Sequence, residues 1–203
     1  MTIKTIIFDA GGIIFKSDWL SVKKDIMKKY NFSILLYSDY PKNISKKFRG
    51  INVGNFSFKD VIKYLSKQKS KKKISMIIKD YKKSYTNHQR VNKKLLKLIK
   101  KLGNKYNLFC LTNTNDVHLE INHKNGNFSY FKKVYASCEL KIAKPDERIF
   151  KIILKDSKLK PENTVFIDNE LENIKSAKRL RINTIFFKNN TQLIKDLKKL
   201  GVV

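Results

Sequence analysis

The sequence predicts an α/β fold: a mostly parallel sheet covered by helices on both faces, with an all-helical segment inserted after the first strand. Three observations carry this expectation. Apolar runs of strand length recur at residues 2–8, 108–111, 134–136, 164–167 and 184–187. Segments of helical period lie between them, and such alternation implies parallel strands joined by helices. Residues from about 15 to 87 break the rhythm, with several helix-period stretches and no clear buried-strand run. The chain therefore divides into a core of residues 1–15 and 88–203 and an insertion of residues 16–87.

Taken in order, Thr2-Ile3-Lys4-Thr5-Ile6-Ile7-Phe8 forms the first strand and delivers Asp9 into the turn Ala10-Gly11-Gly12. Within the insertion, helical period appears over residues 18–30, 41–48, 57–66 and 74–85. Pro41 suits a first helical turn, and Ser57 with Asp60 three residues on matches a capping box. Residues 67–73 read as a solvated loop, and Trp19 and Tyr30 as packing residues of the insertion. A helix over 91–102 carries Leu95, Leu98, Ile99 and Leu102 on one side, and a helix over 146–154 does the same with Ile149, Phe150 and Ile153. Helices over 173–180 and 191–200 follow, the last closed by Gly201.

Bulk properties narrow the function classes. At 203 residues, 41% of them hydrophobic, the chain suits one core domain plus a modest insertion. No apolar stretch approaches the roughly 20 residues of a membrane helix. Lys4 and Asp9 interrupt any signal-peptide pattern, so the expected location is cytoplasmic. Cys110 and Cys138 sit in or beside strand-like runs and read as small buried hydrophobes. The formal charge of +28 invites a nucleic-acid partner. However, the positive charge is almost all Lys, spread over every helical segment, which fits solvated outer faces in a chain of AT-rich coding. Arg occurs only at 49, 90, 148, 179 and 181. In the insertion, Arg49 stands out as a candidate to clamp an anion bidentately.

The chemistry gathers after the strands. In a parallel sheet the loops at the carboxyl ends converge on one crevice, and Asp9, Thr112 and Asp168 all occupy that position. Lys144 stands before Pro145 at the start of the following helix. A carboxylate nucleophile, a hydroxyl, an ammonium and further oxygen ligands suit phosphoryl transfer. His88, His118 and His123 show no metal-ligand pattern, and the last two read as helix-face residues.

Phe8-Asp9-Ala10-Gly11-Gly12, Leu111-Thr112-Asn113, Lys144-Pro145-Asp146 with Ile149-Phe150, and Phe166-Ile167-Asp168-Asn169 with Asn173 stand in an order and spacing that resembles the haloacid dehalogenase (HAD) superfamily. The helical segment after the first motif, including Gly54-Asn55-Phe56-Ser57, resembles the small helical cap of the subgroup containing sugar-phosphate phosphatases and the epoxide hydrolase phosphatase domain. The resemblance implies a Rossmann-like three-layer core with an inserted helical cap, and a magnesium-dependent phosphomonoester hydrolase acting through an aspartyl-phosphate. Asp9 would be the nucleophile, with Thr112 and Lys144 completing the catalytic set. Gly12, Thr112, Asn113 and Lys144 would hold the phosphoryl group, and Asp9, Gly11, Asp168 and Asn169 would bind Mg2+.

Two positions depart from the family pattern. Gly11 stands where most phosphatases of the family place a second aspartate that protonates the leaving group and activates water. Asn169 stands where a second carboxylate is usual. Three readings follow: a phosphatase of a small phosphorylated metabolite such as a sugar phosphate, a weak or inactive phosphate-binding protein, and, less favoured, a nucleic-acid-end phosphatase or binder. Dehalogenase activity ranks lower, because Gly11 is not aromatic and Ile13 carries no hydroxyl.

Overall fold

The computed structural model describes residues 2–32, 50–67 and 70–203. Five parallel strands form one sheet in the order β5-β4-β1-β6-β7. They are β1 (Thr5–Phe8), β4 (Asn107–Thr112), β5 (Lys133–Ala136), β6 (Thr164–Asp168) and β7 (Asn183–Phe186). The central strand β1 alternates its side chains between two apolar clusters. Ile6 and Phe8 join Leu95 and Ile99 of α4 (Lys93–Leu102) and Leu193 and Leu197 of α9 (Asn190–Lys199). Ile7 joins Ile149, Phe150 and Ile153 of α7 (Glu147–Asp156) and Ile174 and Ala177 of α8 (Leu171–Arg179). The sheet is thus covered on both faces, as the continuous apolar runs predict.

The segment after β1 is helical where described. Its helices are α1 (Trp19–Tyr30), α2 (Phe58–Leu65) and α3 (Lys71–Asn87), sharing a separate cluster of Val22, Ile26, Val61, Ile62, Ile74, Ile77 and Tyr81. Val117 and Ile121 of α5 (Asp116–Lys124) complete that cluster from the sheet side. The expected capping box is present at α2: Ser57 Oγ accepts from the Asp60 N–H, and the Asp60 carboxylate accepts from the Ser57 N–H. The helix expected at 41–48 and the candidate Arg49 lie outside the described residues.

Two expectations need correction. The loop expected over 67–73 gives way at Lys71, because Ser70 caps α3 there and accepts from the Lys73 N–H. No strand is expected over 15–87 and a helix is expected from Val91, yet β2 (Phe15–Ser17) and β3 (Gln89–Val91) pair antiparallel and bracket the insertion, and the helix begins at Lys93. Each is three residues long, and only Phe15 is buried, so no apolar run marks them.

The insertion docks on the core through the turn at Gly54. Its positive φ of 63° is a glycine conformation, and a Cβ there would stand 2.1 Å from the Cys138 carbonyl oxygen. Lys141 Nζ donates to the Gly54 carbonyl at 2.6 Å, and Ser137 Oγ donates to the Asn52 carbonyl. Ser137 and Cys138 belong to the short helix α6 (Ser137–Leu140) that follows β5. Among the described residues, no helix is long and apolar enough to cross a membrane.

Candidate active site

Asp9, Lys144 and Asp168 are the buried charged side chains among the described residues, and they meet. Strand β1 ends at Phe8 and its neighbours β4 and β6 end at Thr112 and Asp168, so the parallel register brings these carboxyl ends together. Lys144 Nζ donates to Asp9 Oδ1 at 2.6 Å, to Asp168 Oδ2 at 2.7 Å and to the Leu111 carbonyl at 3.1 Å. An ammonium has three N–H donors, and all are used. Its side chain is 2% exposed, against 10% for Asp9 and 0% for Asp168.

Neighbouring loops fix the lysine. Asn113 Oδ1 accepts from the Lys144 N–H and Asn113 Nδ2 donates to the Lys144 carbonyl, both at 2.9 Å. Ser176 of α8 donates to the Pro145 carbonyl at 2.5 Å. The Asn113 side chain is therefore committed to the backbone of Lys144, and only its main-chain N–H is left to serve as the phosphoryl contact expected of it. Asp146 caps α7 and pairs with Arg148, away from the cluster.

Electrostatics follow from burial. Desolvation raises the Asp9 carboxyl above its usual value; Lys144 pulls it down and Asp168 pushes it further up. Burial alone would lower the Lys144 ammonium, but the two carboxylates outweigh it and hold the lysine above its ordinary value. A buried ion cluster of this kind is a weak source of stability, since desolvation offsets most of the attraction.

A cavity of about 310 Å³ opens on the cluster, lined by Asp9, Gly11, Gly12, Thr112, Asn113, Lys144 and Asn169. All the residues expected at the site line it except Asp168, which lies beneath the lysine. There Asp168 Oδ2 also accepts from Asn173 Nδ2 at 3.0 Å and Oδ1 from the Glu170 N–H at 2.7 Å. Glycine matters at 12 rather than 11. Gly12 has φ of 76°, and a Cβ there would stand 2.9 Å from the Asn169 side chain; one on Gly11 would meet nothing within 4 Å. A second, larger cavity of about 470 Å³ lies by Gly54 and Glu139, and Asp9 does not line it.

The donor set fits a hard, oxygen-seeking cation. Asn169 Oδ1 is buried without a hydrogen-bond partner, as is Asn173 Oδ1. Among the described residues no three His, Cys, Asp or Glu side chains form a metal cluster. A cation here would rest on two carboxylates, neutral oxygens and water, as Mg2+ accepts.

Sequence reasoning missed the aromatic side of the cavity. Trp19, Tyr85 and His118 line it together with Phe15 and Ser17. Trp19 therefore does more than pack the insertion, and nothing in its spacing reveals this, because His118 reaches it from a different segment. Tyr30, by contrast, packs on Phe32 and donates to Asp80. Asn173, in the sequence no more than one member of the fourth motif, holds Asp168; a polar residue beside Ile174 on the buried side of α8 is the signal.

His118 is held neutral. Asn115 Nδ2 donates to its Nδ1 at 3.1 Å, so Nε2–H faces the Tyr81 hydroxyl at 2.7 Å. Burial lowers its pKa from 6.5 to about 3. Between these values an unfolded His118 binds a proton that the folded one refuses, so its contribution to stability is complete above pH 6.5 and is lost as pH falls toward 3. His118→Phe is expected to shrink the stability loss between pH 7 and pH 4 by up to about 3 kcal/mol. Denaturant unfolding of metal-free protein at the two pH values measures it; an unchanged difference would show that the folded imidazole titrates normally.

A family model described as haloacid dehalogenase-like hydrolase matches residues 6–187. Among solved structures, a HAD family enzyme from Bacteroides thetaiotaomicron in complex with magnesium and inorganic phosphate is similar, with a TM-score of 0.72 and 28% identity over 92% of this chain and 94% of its own. A predicted HAD-like family hydrolase from Porphyromonas gingivalis gives 0.74 and 26% over 99% and 98%. A 2-haloacid dehalogenase from Pseudomonas syringae, at 12% identity and a TM-score of 0.69 over 92% and 86%, shares the fold. The five-stranded parallel core, the acidic turn after its central strand and a family match spanning that turn through β7 agree: this chain belongs to the haloacid dehalogenase-like hydrolase family.

Proposed function

We propose that the protein is a magnesium-dependent phosphomonoester hydrolase that works through an aspartyl-phosphate on Asp9 and acts on a small phosphorylated metabolite. The observation that carries this reading is the convergence of the buried charges Asp9, Lys144 and Asp168, the first two lining one cavity and the third bonded to Lys144. The Bacteroides enzyme crystallised with magnesium and phosphate supports it. The cavity volume lies at the small end for ligand sites.

Asp9 supplies the attacking oxygen, a bond forming to phosphorus as the ester oxygen departs. Lys144, turning one N–H from Asp9 to the phosphoryl group, offsets the charge that gathers there; fixed donors of this sort usually make the largest catalytic contribution. Thr112 and the main-chain N–H groups of Asn113 and Gly12 would hold the phosphoryl oxygens. Asp9, the Gly11 carbonyl, Asp168 and Asn169 Oδ1 would hold Mg2+, which when bound neutralises phosphoryl charge. Residues 16–87 would act as a cap over the core of residues 1–15 and 88–203, a division supported by the apolar cluster that α1, α2 and α3 share and by the docking at Gly54.

Gly11 favours a second reading, a phosphate-binding protein of low turnover, since no general acid stands two residues after Asp9. Metal removal and an easy leaving group separate the two. Phosphate release from 4-nitrophenyl phosphate is expected to fall to the uncatalysed rate in excess chelator and to return with added magnesium. Phosphate binding without release, at any magnesium concentration, would establish the second reading instead.

A further inference from the structure

The aromatic side of the cavity and the missing acid at Gly11 point to the same kind of substrate. Tyr85 and His118 stack with ring centroids 4.3 Å apart and planes 13° apart. Trp19 lies against both, at 5.4 Å from Tyr85 and 5.3 Å from His118. The three rings come from α1, α3 and α5, so the wall exists only where insertion and core meet. Both nitrogens of His118 are tied to Asn115 and Tyr81, so it is no free proton donor; with Tyr85, which is 2% exposed, it backs Trp19, the exposed ring of the three. Among the described residues lining this cavity the charged ones are Asp9, Lys144 and Glu170. Lys144 is already shared between two carboxylates, so these residues offer no second cation for another anionic group of the substrate.

We infer that the site takes phosphate esters of planar ring alcohols, phenol-type esters whose ring lies against Trp19, backed by Tyr85 and His118, while the phosphoryl group meets Asp9. This rests on the phosphatase reading and specifies its leaving group. The chemistry agrees with the geometry. As Asp9 bonds to phosphorus, the phosphorus–oxygen bond to the ring breaks and the electron pair leaves on the aryl oxygen. An aryl oxide is stable enough to leave unprotonated, so the proton that Gly11 does not supply is not required. An alkoxide from a sugar or glycerol phosphate is not. Aromatic pairs are favourable beyond the area they bury, which gives the wall a reason to prefer a flat ring.

Trp19 is the sole tryptophan of the chain, so its fluorescence reports on the wall directly. The experiment titrates the magnesium-loaded protein with phenylphosphonate and with methylphosphonate, which share the anionic head and cannot be hydrolysed. Phenylphosphonate is expected to quench Trp19 and, by competition against 4-nitrophenyl phosphate turnover, to bind about tenfold more tightly than methylphosphonate. Trp19→Ala is expected to abolish that preference and Trp19→Phe to keep it. Trp19 opens α1 and is 37% exposed, so its truncation leaves the core intact. Equal binding of the two phosphonates, with phosphate release intact, overturns the ring preference and leaves the phosphatase reading standing. Absence of both phosphonate binding and phosphate release overturns the phosphatase reading itself.

Discussion

Asp9→Asn is expected to lower phosphate release by about 10⁴-fold or more, the scale seen when a covalent nucleophile is removed, without destabilising the protein. The two halves of this expectation have different causes. An amide oxygen is a poor nucleophile, and the amide carries no charge to hold a cation, so both the attack and the metal weaken together. Stability goes the other way. With Asp9 ionised, the buried cluster sets one ammonium against two carboxylates, and Lys144 can satisfy both only because it spends two of its three N–H groups on them. Burial has already raised the Asp9 carboxyl, so folding with Asp9 protonated is easier than folding with it charged. That stability is complete below the ordinary carboxylate value and is lost as pH rises through the raised one. The neutral asparagine escapes this cost at pH 7, leaving a one-to-one pair of Lys144 and Asp168. Thermal unfolding in excess chelator is expected to give Asp9→Asn a midpoint equal to or above that of the native protein.

Lys144→Met supplies the contrast. It leaves two carboxylates facing each other without their cation, and breaking a buried pair in this manner costs about 3 kcal/mol or more. Loss of activity with a lower midpoint in Asp9→Asn as well would show that the aspartate is held mainly for folding, and would remove the chief physical argument for a catalytic cluster.

How much of this was legible in the sequence depended on whether a feature was local. The strands are continuous apolar runs and so is their burial; the register that brings the carboxyl ends together is a property of parallel sheets in general, which is why Asp9, Thr112 and Asp168 could be placed in one crevice from their positions alone. Lys144 was marked by Pro145 and Asp146, but that it would spend all three N–H groups within the cluster was not. The side chain of Asn113 ties Lys144 in place across 31 residues, a contact that no local pattern encodes. The β2 and β3 pair escaped notice because Lys16 and Arg90 are exposed and only Phe15 is buried. The aromatic wall is the extreme case. Trp19, Tyr85 and His118 read separately as helix residues, and only the packing of α1 and α3 against α5 makes them one surface. Gly11 and Gly12 look equivalent in sequence, yet the backbone requires glycine only at 12.

That last difference makes Gly11→Asp the most informative gain to test. A Cβ at 11 meets nothing within 4 Å and the backbone there is not left-handed, so the added carboxyl enters open space on the cavity wall. The same change at Gly12 would drive a side chain into Asn169 at a φ of 76°. An aspartate two residues after the nucleophile gives the leaving oxygen a proton and then takes one from the attacking water. A positioned acid or base of this kind contributes about 10²- to 10⁴-fold. Gly11→Asp is therefore expected to raise turnover of an alkyl ester such as glycerol 2-phosphate by about that factor, and turnover of an aryl ester by less, since its oxide leaves unaided. Kinetics distinguish the two roles. On the proposed mechanism an aryl ester would phosphorylate Asp9 readily while hydrolysis of the phosphoenzyme would lack its base, so a burst of phenol release is expected ahead of a slow steady state. Gly11→Asp is expected to remove the burst, and Gly11→Asn, similar in shape but unable to carry the proton, to retain it. If the native protein already turns over alkyl and aryl esters at comparable rates without a burst, another group supplies the proton, and Gly11 is no limitation at all.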